Sequence, residues 1–368
     1  MSGPRVLSIQ SHMVSGYCGN KAATFPLQLL GFDVDVMNTV SFSNHTGYPS
    51  WTGEKATGEQ LKELFKGLQT NGLAEYSHLL TGYIGSAQNL RSVAEIIGQL
   101  QEHGNNPFYV LDPVMGDHGQ LYVQPDVIPV YKEMMKFAKA ITPNQFEAEI
   151  LADTKITDVQ SCLETIDILH KTGVEHVIIT SVSLLPGDVK ANLARSHQQP
   201  IGKDHANGQS SGKTNGHHHD NGNHPSTASE EAMYCVCSSR SNDNNESRVY
   251  AIEFPTYDGY FTGTGDLFSA VLVARLYESL SEKEVTDRQL PPLTRACLKV
   301  VATMRAVVLR TFQAQAGAKG RSLDRKQASA AAVIKRCELQ LIQSKRDIED
   351  PHMEEVEAAE LQRTARCL

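Results

Sequence analysis

The sequence predicts an α/β fold of three layers, in which helices cover both faces of a central, mostly parallel β-sheet. Short apolar segments of β character alternate with longer segments whose apolar residues recur at helical spacing. RVLSIQS (residues 5–11) has the pattern of a strand, residues 19–30 that of a helix, and FDVDVMNTV (32–40) that of a second strand. Parallel strands need such crossovers, so this unit indicates a parallel sheet.

The same alternation continues along the chain and extends the predicted sheet. The later segments are SHLLTGY, the helix SVAEIIGQLQEH and FYVLDPV, then AKAITPN, the helices QFEAEILAD and VQSCLETIDILHKTG, and the strand HVIITS. In parallel sheets covered on both faces, ligands bind at the carboxyl ends of the strands.

Composition favours a globular protein with a small-molecule substrate. The 368 residues are 40% hydrophobic, the net charge is −8 and the pI is about 6.0, so no basic excess attracts nucleic acid or anionic lipid. No run of about 18 apolar residues and no signal-like N-terminus occurs, which predicts a cytoplasmic protein. Seven scattered cysteines do not suggest a disulfide framework.

A polar segment interrupts the alternating pattern. Residues 195–248 are rich in Gly, Ser, Asn and His, and we expect a disordered insertion in one domain spanning residues 1–368, with a short strand at AMYCVC. GQSSGKT (208–214) has one residue too few between its glycines for a phosphate-binding loop. The tract His217–His219, with the nearby cysteines, favours adventitious metal binding at most.

Polar residues are expected at several strand ends of one sheet edge. Ser11 follows the first predicted strand, Asp112 ends FYVLDPV, Asn144 follows AKAITP, and Thr180 and Ser181 end HVIITS. Parallel sheets keep their interiors apolar, so polar residues gathered at this edge indicate a functional site.

Two of these motifs also have simple structural interpretations. Asn144 and Glu147 have the spacing of a helix capping box. In YFTGTGDLFSAVL, Gly263 and Gly265 could adopt positive φ in a turn, and Asp266 could complement a helix dipole. The chemical alternative is an anion site of backbone N–H groups with Asp266 beside it as a base.

Taken together, the motifs resemble the eukaryotic pyridoxal kinases of the ribokinase-like superfamily. The resemblance extends from Arg5 to Pro351 and rests on RVLSIQSHMVSGYCGNKAATFPLQLLGFDVD, FSNHTGY, LTGY, DPVMGD, ITPNQFEAE, IITS, GTGDLFSA and LIQSKRDIEDP. It implies a ribokinase-like fold with a small flap, and a homodimer. It also implies ATP-dependent phosphorylation of the 5′-hydroxyl of pyridoxal, pyridoxine and pyridoxamine.

The resemblance implies a role for the GTGD motif. Gly263, Thr264 and Gly265 would present backbone N–H groups to the phosphoryl group during its transfer, forming an anion hole. Asp266 would take the proton of the attacking hydroxyl group.

Ligand roles for other residues are implied in the same way. Asp112 and Glu147 would organise Mg²⁺, or another divalent cation such as Zn²⁺, and Thr142 and Thr180 with Asp112 would shape a K⁺ site. The implied ATP contacts are Asp112, Asp117, Tyr122, Asn144, Thr180, Ser181, Thr264 and Gly265.

The implied substrate contacts involve the flap SFSNHTGYPSW, which would exclude water. They are Ser11, His45, Thr46, Tyr83 and Asp266. Taken singly, Tyr83 and the flap residue Trp51 could be core aromatics, and His45 could make only a hydrogen bond within the flap.

Two other functions remain open at this point. A hydroxymethylpyrimidine kinase of the same superfamily would share the phosphate site, whereas a non-catalytic carrier of pyridoxal phosphate would not need Asp266 beside an anion hole. The loop GDHGQLYV (116–123) is shorter than in animal pyridoxal kinases, which affects the expected position of Tyr122.

Overall fold

A computed structural model of the chain describes residues 3–102, 104, 106–196, 232–241, 244–282, 290–317 and 330–363. The strands are β1 (Arg5–Met13), β2 (Asp33–Phe42), β3 (Gly53–Lys55), β4 (His78–Thr81), β5 (Phe108–Leu111), β6 (Gly116–Asp117), β7 (Gln120–Leu121), β8 (Ala140–Ile141), β9 (His176–Leu184), β10 (Ala232–Ser241), β11 (Asn244–Phe254) and β12 (Ala358–Leu361). The helices are α1 (Asn20–Leu29), α2 (Gly58–Thr70), α3 (Ala87–Glu102), α4 (Val127–Met134), α5 (Gln145–Ala152), α6 (Val159–Lys171), α7 (Pro186–Ser196), α8 (Thr264–Ser281), α9 (Pro292–Gly317), α10 (Ala330–Lys335) and α11 (Lys345–Glu349).

The central sheet confirms the predicted α/β architecture. Its strand order is β12-β11-β10-β9-β8-β5-β4-β1-β2-β3, and β6 and β7 form a separate hairpin. The six central strands, β9, β8, β5, β4, β1 and β2, are each parallel to their neighbours within this group. Antiparallel strands lie at both ends, with β3 on one side and β10, β11 and β12 on the other. The sheet is therefore mostly parallel, as expected.

The parallel strands are buried on both faces because their side chains alternate between two apolar layers. In β5, Leu111 packs into one layer and Val110 into the other. Helix α8 contacts both α1 and α9 on the second face. Among the described residues, no helix combines the length and apolar character needed to cross a bilayer.

Most predicted elements are present, but three boundaries were wrong. Ser11 lies inside β1 rather than after it, at a bulge in the pairing of β1 with β2. Strand β9 continues to Leu184, because its second half pairs with β10, so Thr180 and Ser181 are interior to it. Helix α3 begins at Ala87, before the predicted segment.

The polar segment was predicted to be disordered over too wide a range. Residues 232–241 and 244–248 belong to the antiparallel pair β10 and β11. Cys235 and Cys237 face one apolar layer and Val236 the other, so this part of the chain is sheet interior rather than loop. Its polar residues also pair, since His170 Nε2 is 2.9 Å from Ser238 Oγ. The Walker-like segment 208–214 and His217–His219 lie outside the described residues.

We expect residues 198–230 to be dispensable and residues 232–241 to be essential for folding. A short Gly/Ser linker in place of 198–230 removes a polar segment at little cost in loop entropy. A deletion that also removes 232–241 takes out the strand that joins β9 to β11. Thermal unfolding should be close to wild type in the first variant, and the second should yield no soluble folded protein. A stable second variant would contradict the sheet topology.

Candidate active site

The carboxyl ends of the parallel strands place several of the predicted residues at one edge of the sheet. Asp112 directly follows β5, Thr142 directly follows β8, and Tyr83 lies two residues after β4. The loop from β1 to α1 and the start of α8 lie at the same edge, where Gly19 N donates to Asp266 Oδ2 at 2.7 Å. Residues far apart in sequence therefore surround one site, as the strand-end pattern predicts.

The start of α8 provides unpaired backbone donors. Gly263 is the N-cap, with a left-handed φ of 84°, and a Cβ there would stand 2.0 Å from Tyr17 O. Leu267 N makes the first bond of the helix, to Gly263 O at 3.0 Å, so the N–H groups of Thr264, Gly265 and Asp266 have no acceptor within the helix. The expectation of a positive φ is wrong for Gly265, because this residue lies in the first helical turn.

Asp266 is a half-buried carboxylate in that first turn. Burial raises the pKa of this carboxyl above its usual value, and the hydrogen bond from Gly19 N offsets part of the rise. A carboxylate with a raised pKa is a better proton acceptor than an exposed one. Both the dipole interpretation and the base interpretation of Asp266 are compatible with this position.

Asp112 is a carboxylate with 4% of its surface exposed. Thr142 and Ser269 donate hydrogen bonds to it, and their hydroxyl oxygens are 2.8 Å apart. Its Oδ2 atom is buried without a hydrogen-bond partner, 3.9 Å from where a Cβ on Gly265 would stand. Burial, then Glu147 and Asp266, raises the pKa of Asp112 well above its usual value. An unpaired buried oxygen of this kind fits a cation.

Glu147 and Asn144 form the capping box of α5. Asn144 Oδ1 accepts from Glu147 N at 2.9 Å, and Glu147 Oε2 accepts from Asn144 N at 3.0 Å. Glu147 Oε1 accepts from Met115 N at 2.8 Å and from Gly116 N at 3.3 Å. Burial raises the pKa of Glu147 to about 7. Both carboxylate oxygens thus accept hydrogen bonds from backbone N–H groups, which fix the position of the side chain.

No ready-made metal cage accompanies these carboxylates. Within the described ranges, no group of three or more His, Cys, Asp and Glu side chains is arranged to hold a metal ion. Hard cations such as Mg²⁺ keep several waters and bind through few protein carboxylates. The unpaired oxygen of Asp112 is therefore the feature of this site that fits such an ion.

The residues predicted to contact a nucleotide lie around the β6–β7 hairpin and β9. Asn144 Nδ2 donates to Gly116 O at 2.8 Å, which fixes the hairpin beside α5. Asp117 Oδ1 accepts from His118 N at 2.7 Å, and Tyr122 is 62% exposed. Thr180 N donates to Pro143 O at 2.9 Å, which joins β9 to the same edge. Ser181 is half-buried beside it.

The flap connects β2 to β3 and spans residues 43–52. His45 is buried in it, whereas Thr46 is exposed. The Trp51 ring lies 4.5 Å from the Phe42 ring. Tyr83 is half-buried against an apolar cluster that includes Phe42. Trp51 is 42% exposed and is therefore not a core residue.

Sequence reasoning missed Glu338, a buried carboxylate beside the flap. Glu338 Oε2 accepts from Tyr17 N at 3.0 Å, and Glu338 Oε1 accepts from Tyr48 Oη at 3.1 Å. The only signal in the sequence is a charged residue just before the apolar residues of LQLIQSKRDIEDP. Neither spacing nor residue type connects it to residues 17 and 48.

Three comparisons place this chain among known proteins. It is 38% identical to pyridoxal kinase of Bos taurus over 95% of this chain and 96% of the relative. It is 37% identical to pyridoxal kinase of Arabidopsis thaliana over 95% of this chain and 93% of the relative. A solved structure of pyridoxal kinase from Leishmania donovani, in complex with ADP and pyridoxamine, has 30% identity and a TM-score of 0.72, covering 97% and 99% of the two chains. A family model described as phosphomethylpyrimidine kinase matches residues 50–216.

The two glycines of the α8 start should respond differently to alanine. Gly263→Ala forces a left-handed φ on a residue with a Cβ and brings that atom against Tyr17 O, so stability should fall by about 1–3 kcal/mol. At Gly265 the backbone is helical and an added Cβ would make only an ordinary contact, 3.9 Å from Asp112 Oδ2. Gly265→Ala should therefore leave stability level or raise it by up to about 1 kcal/mol. Urea unfolding of both variants measures this difference. Equal loss in the two variants would contradict the conformations described here.

Proposed function

This chain belongs to the pyridoxal kinase family, and we propose how its residues transfer a phosphoryl group from ATP to the 5′-hydroxyl of pyridoxal, pyridoxine and pyridoxamine. The observation that carries the proposal is the position of Asp266. Its carboxylate, with a raised pKa, lies in the first turn of α8 beside N–H groups that have no acceptor in the helix. A proton acceptor and an anion-binding helix start are thus adjacent, as phosphoryl transfer to an alcohol requires.

Asp266 acts in this proposal as the general base. Its carboxylate takes the proton of the 5′-hydroxyl as the oxygen attacks the γ-phosphorus, and the bond from that phosphorus to the oxygen of ADP breaks. Backbone N–H groups of Thr264 and Gly265, after the Gly263 cap, bind the phosphoryl oxygens on which negative charge is spread. A side chain at Gly265 would occupy space beside the backbone where the phosphoryl group would bind, since a Cβ there would stand 3.9 Å from Asp112 Oδ2.

Cations and ATP would occupy the adjoining edge. Mg²⁺, or another divalent ion such as Zn²⁺, would bind Asp112 Oδ2 and reach Glu147 through water, and when bound it neutralises charge on the phosphates. K⁺ would bind near Thr142, Thr180 and Asp112. The proposed ATP contacts are Asp112, Asp117, Tyr122, Asn144, Thr180, Ser181, Thr264 and Gly265.

The vitamer ring would bind between β1, the loop after β4 and the flap. Ser11 and Tyr83 would contact the ring on the side of the sheet, and His45 and Thr46 would contact it from the flap on the opposite side. Closure excludes water, which otherwise competes with the hydroxyl for the phosphoryl group.

We also propose a cytoplasmic homodimer in which residues 1–368 form one domain. Exposed apolar side chains at the β2–β3 end of the sheet support association, namely Val14, Val36 and Trp51. Free, buried thiols among the described cysteines support a reducing compartment.

Asp266→Asn tests the proposed base. The amide keeps an oxygen acceptor for Gly19 N but cannot take a proton at neutral pH, so kcat should fall by about 10²- to 10⁴-fold with little change in KM for ATP. A coupled assay of pyridoxal phosphate formation measures both constants. A variant with more than about half of the wild-type kcat would refute the role. A wild type without turnover would instead favour the carrier function.

Thr46→Val tests the ring pocket and separates two substrates. The variant keeps the side-chain shape but loses a hydroxyl, and an unpaired polar group costs about 1–3 kcal/mol, so kcat/KM for pyridoxal should fall roughly 5- to 100-fold. KM for ATP should change little. Thr52→Val, at an exposed position of the same flap, is the matched control and should resemble wild type.

The family model named for a phosphomethylpyrimidine kinase makes hydroxymethylpyrimidine the substrate to compare. Wild-type enzyme should prefer pyridoxal by a wide margin, because a site built to hydrogen-bond the groups of one ring rejects an analogue that lacks them. Higher kcat/KM for hydroxymethylpyrimidine would overturn the substrate assignment.

A further inference from the structure

Glu338 is a buried carboxylate at the meeting point of three segments that are distant in sequence. It is 4% exposed. Its Oε2 accepts from the backbone N–H of Tyr17, in the loop after β1, and its Oε1 accepts from the phenol of Tyr48, in the flap. The same Oε1 lies 3.4 Å from His45 Nε2, also in the flap. One carboxylate therefore joins the flap, the β1–α1 loop and the C-terminal part of the chain.

The charge of Glu338 is stabilised by these neighbours. Burial by itself would raise the pKa of the carboxyl, but the nearby His45 imidazole and the hydrogen bonds from Tyr17 and Tyr48 outweigh burial and lower the pKa below its usual value. The phenol of Tyr48 responds in the opposite sense, with a pKa raised to about 12 by burial and by Glu338. Glu338 is thus ionised at neutral pH. Replacing it by an amide would remove the charge that strengthens these hydrogen bonds and leave only one of the two oxygens to accept.

The loop that Glu338 holds also positions Asp266. Tyr17 N donates to Glu338, and two residues later Gly19 N donates to Asp266 Oδ2 at 2.7 Å. Gly16 lies so close to the carboxylate that a Cβ there would be 2.4 Å from Glu338 Oε1. The loop therefore packs directly on Glu338 at one end and on Asp266 at the other.

We propose that Glu338 is a positioning residue, which anchors the flap and the β1–α1 loop so that the vitamer binds in a site already formed beside Asp266. This inference rests on the proposed binding of the vitamer beneath the flap. Glu338 has no role in this proposal at the nucleotide edge formed by Asp112 and Asn144. Its effect should therefore fall on pyridoxal rather than on ATP.

Glu338→Gln tests the anchor by kinetics. Loss of charge-assisted hydrogen bonds worth about 1.5–3 kcal/mol should lower kcat/KM for pyridoxal about 10- to 100-fold, mainly through KM for pyridoxal, with KM for ATP within about twofold of wild type. Tyr48→Phe removes one of the bonds and should shift the same constant in the same direction by less. Glu355→Gln is the matched control, since Glu355 is an exposed carboxylate of the C-terminal part that pairs with Arg305, and it should resemble wild type.

The flap itself carries a reporter that needs no turnover. Trp51 is the single tryptophan of the chain, is 42% exposed and packs on Phe42. Without substrate, Glu338→Gln and Tyr48→Phe should show stronger acrylamide quenching of this tryptophan than wild type and Glu355→Gln. If Glu338→Gln does not fold, Tyr48→Phe provides the same readouts.

Two outcomes would overturn the proposal. One is an unchanged KM for pyridoxal together with unchanged quenching. The other is a parallel rise in KM for ATP and pyridoxal with a lower Tm but unchanged quenching, which describes a purely structural carboxylate. Failure of the proposed function would be recognised separately, by a wild-type enzyme that is inactive on pyridoxal or by an Asp266→Asn variant with full activity. The quenching experiment needs no turnover, so its result does not depend on either outcome.

Discussion

The constraint on which this site depends is the burial of the parallel strands on both faces. Leu111 and Val110 of β5 enter opposite apolar layers, and an unpaired polar group between them would cost more than the sheet gains from it. The polar side chains inside these strands are therefore paired, as Gln10 is with Ser8 and Thr81 with Tyr109, whereas the carboxylates of the site lie beyond the strand ends. Asp112 is the first residue after β5, and Thr142 the first after β8. The architecture itself concentrates the chemistry at one edge.

That concentration produces the electrostatic character of the site. Asp112 and Glu147 are buried carboxylates and Asp266 is a half-buried one, and burial raises the pKa of each. Hydrogen bonds from backbone N–H groups offset part of the free-energy cost of burying the charges of Glu147 and Asp266, whereas Asp112 keeps one unpaired oxygen. Glu147 is thus satisfied by its capping box, Asp266 accepts one hydrogen bond and can still take a proton, and Asp112 has an oxygen left for a cation. Similar residues differ here because their local donors differ.

Much of the fold and part of the site could be predicted from periodicity and spacing. Apolar alternation predicted the parallel sheet, and the Asn144–Glu147 spacing predicted a capping box that the structure contains. The errors have physical causes. The polar sequence around Ser238 suggested disorder, yet its hydroxyl pairs with a buried His170 inside the sheet. One interpretation of GTGD gave Gly265 a positive φ in a turn, yet Gly263 alone provides the left-handed cap, which leaves Gly265 in the helix. The proposed ligand roles of these residues remain predictions.

The sequence by itself determined the order of strands and helices, the motifs that identify the family and the residue types available at the strand ends, because these depend on local spacing and on side-chain chemistry. Only the tertiary structure decided which of those residues meet. Glu338 contacts a loop 321 residues away and a flap 290 residues away, and Gly19 reaches Asp266 across 247 residues. Such contacts form when the sheet brings chain segments to one edge, and no periodicity along the chain encodes them.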